Sequence, residues 1–227
     1  MEIADPPLIP DLAADAWQLT ADVPRAVLGL AGPPGAGKST LARALVAALD
    51  AEHGAGAAGY LPLDGFHLSN VQLARLGLMA RKGSEPSFDV WGYVALLHRV
   101  LDERDGARDI YVPDYDRTLA HDPIAARHLV APSARLIVTE GNYLACDLPG
   151  WREARELMAA LWYVEAPADV RQLRLVDRQL SGGRTGDEAR EWVGTNDAPN
   201  GELVENWRER ADRNLSTIGM DMFNSQQ

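Results

Sequence analysis

Residues 25–54 read RAVLGLAGPPGAGKSTLARALVAALDAEHG, and the three parts of this stretch decide the fold. RAVLGLA is a short apolar run of the kind found in a strand buried on both faces. The stretch after Thr40 carries apolar residues at 41, 45, 46, 48 and 49 and stops near Gly54, which is helical spacing with a glycine terminator. Between them, GPPGAGKST fits G-x-x-x-x-G-K-[ST]. A strand before this pattern and a helix after it turn it into a phosphate-binding loop. Gly32, Pro33, Pro34, Gly35, Ala36, Gly37, Lys38, Ser39 and Thr40 are the expected cradle. The glycines let backbone N–H groups converge, and the helix N-terminus adds its partial positive charge. Lys38 is placed to reach the β- and γ-phosphates of a nucleotide, and the Ser39 hydroxyl to ligate Mg²⁺.

Composition supports the lysine's role. Of 22 basic residues in the 227-residue chain, only Lys38 and Lys82 are lysines. A compact ammonium on a flexible stem cannot be exchanged for a guanidinium fork inside a tight phosphate cradle. Lysine therefore survives where its geometry is required, and Lys82 attracts interest on the same ground. A formal net charge of −11 disfavours nucleic acid and anionic membrane as partners, so an anionic ligand needs a local positive site. A single cysteine, Cys146, excludes an internal disulfide and reads as packing. No apolar stretch reaches the length of a membrane span, and the acidic, proline-broken N-terminus lacks the features of a signal peptide. A cytoplasmic protein is expected.

Strand and helix alternate along the rest of the chain. The expected architecture is α/β, a P-loop NTPase with a mainly parallel five-stranded sheet, helices on both faces and a helical lid. Residues 1–24 read as an arm with a short helix (DLAADAWQL), and 25–227 as one domain with a lid over about 171–190. AAGYLPL and ARLIVTE are strand-like. Helices are expected near 69–77, from Asp89 to about Glu103, over WREARELMAAL, over ADVRQLRLVDRQL, and at roughly 186–195 and 200–214, with a weak strand at the end. IYVPDY is short and β-like. Asn200 reads as a helix N-cap, in preference to Asn196 as an adenine contact.

Phosphate loops serve switches, motors and kinases alike. A guanine-reading N-K-x-D motif is absent, because no lysine lies outside 38 and 82, and DLPG at 147–150 reads as a turn. Two acidic strand ends matter more. Glu140 closes LIVTE, where a carboxylate can hold a Mg²⁺-bound water beside Ser39; the alternative is a strand-terminal acid in water. Asp64 closes the second strand, at the sheet edge where open α/β folds bind ligands. Transfer to an alcohol needs a proton acceptor, and a carboxylate there can serve; the alternative is an Asp-Gly turn.

Taken in order, the strand–GPPGAGKST–helix unit, LDGFH, MARKGSEPSFDV and LIVTEGNYL resemble the P-loop kinases of the uridine kinase, phosphoribulokinase and bacterial pantothenate kinase superfamily. They are closest to small bacterial members called nucleoside/nucleotide kinase-like or fructose-transport-system kinases. The resemblance runs from about residue 26 to 215. It implies ATP-dependent transfer to a small hydroxylated acceptor, with Asp64 as base, Lys38 and Ser39 on phosphate and Mg²⁺, and Glu140 at the metal. Arg81 and Lys82 fall where pantothenate-type kinases carry R-K-G beside the acceptor. Uridine kinases lack that element and pantothenate kinases are longer, so neither substrate transfers. A homodimer is one assembly open to the chain.

Arg171, Arg174 and Arg178 share one helix face, and Arg184 follows a Gly-Gly hinge candidate. Such a stripe can close over phosphates, with Arg174 on the nucleotide and Arg178 as the preferred finger, or be a solvated face paired with Asp177 and Glu188. His67, Arg81, Lys82, Tyr115, Arg117, Asn142 and Tyr143 are the expected acceptor contacts. His67 can instead bond within its own turn, and either tyrosine can be core with a wet tip. The competing function is a nucleotide-binding regulatory module with slow hydrolysis and no acceptor.

Overall fold

The apolar run after Arg25 becomes the middle strand of a parallel sheet in the computed structural model, which describes residues 8–103, 108–117 and 121–220. The first seven residues of the expected N-terminal arm lie outside these. Helix α1 (Ile9–Gln18) leads into strand β1 (Ala26–Ala31), whose six residues are all buried. Then come α2 (Lys38–His53), β2 (Ala58–Pro62), α3 (Asn70–Leu76) and α4 (Val90–Asp102). Ser69 and Asp89 cap α3 and α4, accepting from the amides of Gln72 and Gly92. A hairpin of β3 (Ile110–Asp116) and β4 (Asp122–Val130) follows, then β5 (Leu136–Glu140), α5 (Trp151–Glu156) and β6 (Ala160–Glu165). The chain continues through α6 (Ala168–Ser181), α7 (Gly186–Trp192), α8 (Ala198–Glu205) and β7 (Arg213–Ser216).

The main sheet runs β2-β5-β1-β6-β7 with every pairing parallel. Alternate side chains feed two cores. Val27, Leu61, Ile137 and Leu161 pack with Tyr93, Leu97 and Trp151 on one face, and Leu28, Leu30, Val138 and Val164 pack on the other with Leu41, Leu45 and Leu49. Helix α1 joins the second core through Leu12, Ala13 and Ala16. Each fully buried leucine is worth about 1.5–3 kcal/mol over leaving it in water. Arg25 is buried, and its guanidinium donates to the carbonyls of Val100, Ala131, Pro132 and Ala134. It thereby ties the end of α4 to the turn before β5. Cys146 is buried too, and burial pushes its thiol up to about 12.

Several elements differ from the sequence pattern. Strand β4 escapes it because DPIAARHLV lacks alternation: most of its residues are exposed, Ala126 has φ 55°, and the ladder shifts register between Val112 and Asp114. The helix expected over 200–214 stops at Glu205, and a short 3₁₀ turn (Arg208–Arg210) leads into β7. Helix α5 ends at Glu156, before the β6 partner of β1 begins. Asn200 is not an N-cap: α8 begins at Ala198, and the Asn200 amide donates to the Gly83 carbonyl at 3.3 Å. Between α7 and α8 the helix widens into a π turn, Val193–Asp197. Among the described residues no helix is long and apolar enough to cross a membrane.

Candidate active site

Parallel strands deliver their C-terminal ends to one edge, and three of those ends build the site. After β1 the chain turns at Gly32, where a Cβ would lie 2.1 Å from the Val164 carbonyl of β6, so only glycine lets the loop start there. Lys38 opens α2 with 6% of its surface exposed, and its Nζ donates to the Pro33 carbonyl (3.0 Å) and Asn142 Oδ1 (2.7 Å). Burial pushes the Lys38 amine down to about 8, against the pull of Glu140 and Asp64.

At the end of β5, Glu140 is buried, accepts from the Tyr60 hydroxyl (3.0 Å) and hydrogen-bonds Ser39. Burial, and then Asp64, holds its carboxyl above the ordinary range. Ser39 and Glu140 are hard oxygen donors set side by side, which fits Mg²⁺, an ion that keeps several waters and takes phosphate oxygens. Among the described residues no group of three or more His, Cys, Asp and Glu forms a metal cage. An all-protein cage is not what that ion requires.

Beyond β2, residues Leu63–Phe66 form one 3₁₀ turn that carries Asp64. The glycine after it makes room for protein rather than for ligand. A Cβ on Gly65 would meet the Pro113 carbonyl at 2.4 Å, so this residue lets the β3–β4 hairpin sit on the turn. The hairpin brings Arg117, whose Nη2 donates to Asp64 Oδ2. Burial pushes the Asp64 carboxyl up, but Arg117 foremost among the neighbouring cations leaves it below its ordinary value. His67 bonds the Asp64 backbone carbonyl through Nδ1 (2.8 Å) and packs between Phe88 and Tyr115. Lys82 Nζ donates to Asn70 Oδ1 (2.6 Å) and the His121 carbonyl, 5.1 Å from the Tyr115 ring centre.

Helix α6 lies over the phosphate loop. Arg174 donates to the Gly35 carbonyl (3.1 Å) and so contacts the cradle's backbone directly. Arg171 pairs with Glu205 at 2.6 Å, and Arg178 lies 3.7 Å from Asp197. The partners of the stripe are therefore Glu205 and Asp197, in place of Asp177 and Glu188; Glu188 caps α7 at Thr185 instead. Arg184 rests 4.1 Å over the Trp192 ring and donates to Gln179.

These groups line one cavity of about 780 Å³. Of the expected residues, Pro34, Gly35, Gly37, Lys38, Ser39, Thr40, Asp64, His67, Lys82, Tyr115, Arg117, Glu140, Asn142, Arg174 and Arg178 face it. Gly32, Pro33 and Ala36 form the loop's buried back. Arg81 is exposed and outside the lining, and Tyr143 is fully buried in the core, its hydroxyl donating to the Gly83 carbonyl at 2.6 Å. Asn142 serves Lys38 rather than standing free for an acceptor. Asn70, Trp192 and Asp197 also line the cavity, and no motif marks them.

Comparison with known proteins follows the same line. The chain is 34% identical over 190 residues to a protein of Schizosaccharomyces pombe named "putative uridine kinase", across 80% of this chain and 78% of that one. It is 36% identical over 115 residues to a pantothenate kinase of Leifsonia xyli, covering 51% of this chain and 34% of that protein. The crystal structure of a "putative fructose transport system kinase" from Silicibacter sp. TM1040 superposes with a TM-score of 0.81 at 34% identity, covering 92% of this chain and 98% of that one. No family model matches the chain.

Proposed function

We propose that this chain, which belongs to the P-loop kinase superfamily of the uridine kinases and pantothenate kinases, moves the γ-phosphoryl of Mg²⁺-ATP to a hydroxyl of a small molecule. The observation that carries this reading is the shared cavity. A phosphate-loop lysine and the Asp64 carboxylate just beyond the second strand face the same space.

In this reading Asp64 is the general base. It accepts the acceptor's hydroxyl proton as that oxygen attacks the γ-phosphorus and the bond to the β–γ bridging oxygen breaks. Lys38 and Arg178 neutralise charge on the transferring group, and Arg174 steadies the loop through Gly35. Ser39 and Glu140 would hold Mg²⁺, whose chemistry is to screen the phosphate oxygens. On the acceptor side, His67, Lys82, Tyr115 and Arg117 line the same cavity as Asp64. Arg81 and Tyr143 act from outside that wall, on the loop that carries Lys82. Arg117 occupies Asp64 Oδ2, so a bound hydroxyl either displaces it or uses Oδ1. Sugars, nucleosides and pantothenate-like alcohols are the substrate class, and the cytoplasm is the setting this reading implies.

The test is ADP release with Mg²⁺-ATP against a panel of sugars, nucleosides, nucleoside monophosphates and pantothenate. An acceptor that raises turnover well above the acceptor-free rate is expected. Bound ATP with no stimulation by any hydroxylated compound would favour a slow-hydrolysing regulatory module.

A further inference from the structure

The π turn Val193–Asp197 is a packing anomaly that the phosphate chemistry does not require. Such single widened turns recur at functional sites because they turn two successive side chains inward where an α-helix would turn one. Here those two are Asn196 and Asp197, both buried. Asn196 donates to the Lys82 carbonyl at 2.7 Å, which fixes the turn to the loop bearing an acceptor-side cation. Asp197 is 7% exposed and lines the cavity, with Oδ1 3.7 Å from Arg178 Nη2. Its Oδ2 has no hydrogen-bond partner among the described residues. Gln179, one residue after Arg178, reaches the same carboxyl.

Arg178 is the other half of this arrangement. It lines the cavity beside Lys38 and Asp64, and among the described residues its guanidinium makes no hydrogen bond, its nearest acid being Asp197 at 3.7 Å. A guanidinium with unspent donors, its side chain 39% exposed on the cavity side, and a buried carboxylate with an unspent oxygen face each other just beyond bonding distance. The carboxylate alone would be costly to bury. Together they hold the arginine near its place while leaving its donors for a phosphate.

We infer that Asp197 is the positioning residue for Arg178: it presents the guanidinium to the γ-phosphate of bound ATP, and through Asn196 the same turn links that arginine to the Lys82 loop. The inference rests on the phosphotransfer reading only in taking Arg178 as a γ-phosphate contact. Its test needs no acceptor.

The experiment is calorimetric titration of Mg²⁺-ATP and Mg²⁺-ADP into wild type, Asp197→Asn, Arg178→Ala and the double variant. Only ATP carries the γ-phosphate. Asp197→Asn should weaken ATP by about three- to tenfold, within the usual coupling of directly contacting charged groups, with ADP unchanged. In the Arg178→Ala background the same substitution should do nothing further to ATP. Unchanged ATP affinity in Asp197→Asn, equal loss of ATP and ADP, or full additivity in the double variant would each overturn the inference. So would Arg178→Ala leaving ATP affinity intact, a result that leaves the kinase reading to the acceptor panel. Should the Asn variant fail to fold, Asp197→Glu keeps the charge and moves it by one methylene. A selective loss of ATP affinity supports the inference there, and wild-type affinity contradicts it.

Discussion

Replacing Arg117 with methionine should release the proton affinity of Asp64. In the present structure Arg117 Nη2 donates to Asp64 Oδ2, and this guanidinium is the main reason that the carboxyl sits below its ordinary value despite burial. An opposite charge at this range lowers a carboxyl by about 1–3 pH units. The Arg117 side chain is 46% exposed, so water screens part of that attraction. The sign is fixed. Arg117 stabilises the ionised form, so in its absence the proton should stay on to higher pH. A carboxyl ¹³C titration followed by NMR, with Asp64→Asn to assign the resonance, measures the change. The expected midpoint moves up. Asp64 and Glu140 interact, so the titration belongs partly to the pair; the direction does not change. The Arg117–Asp64 ion pair also adds stability that is fully present above the unfolded carboxyl's pKa and is lost as pH falls through the lower folded value. An unchanged midpoint, or a lower one, in Arg117→Met would refute the placement of Arg117 on Asp64.

Two further outcomes test the frame around the site. With its amine near 8, Lys38 should lose its proton as pH rises through that value. ATP affinity measured by titration should fall there in wild type, while Lys38→Met should bind weakly without that fall. Gly65→Ala would drive a Cβ to 2.4 Å from the Pro113 carbonyl. Urea unfolding should show a loss of about 1–3 kcal/mol, the usual cost of overpacking, and acceptor-dependent turnover should drop because the hairpin bearing Arg117 must shift.

What could be read from the sequence was local. The phosphate loop, the strand ends at Asp64 and Glu140 and the helix stops at Gly54 and Gly77 are each fixed by residues within a few positions of one another. Alternating strand and helix then sufficed for a parallel sheet. The hairpin was half legible, because IYVPDY has β-branched and aromatic residues whereas DPIAARHLV is exposed and irregular. Contacts distant in sequence were not legible at all. Arg117 meets Asp64 across 53 positions, and Arg178 lies beside Asp197 at the end of a π turn that no local pattern announces. Glycine roles hide in the same way: Asp64-Gly65 reads as a local turn, and the space at Gly65 is taken by the hairpin backbone.

The central claim is that Asp64 takes the acceptor's proton, and Asp64→Asn tests it most directly. With the acceptor that best stimulates ADP release, the variant should lose about 10²–10⁴ in turnover, the range of general-base catalysis, while calorimetry shows ATP binding retained. Wild-type turnover in Asp64→Asn would contradict the claim and return Asp64 to the role of a turn residue.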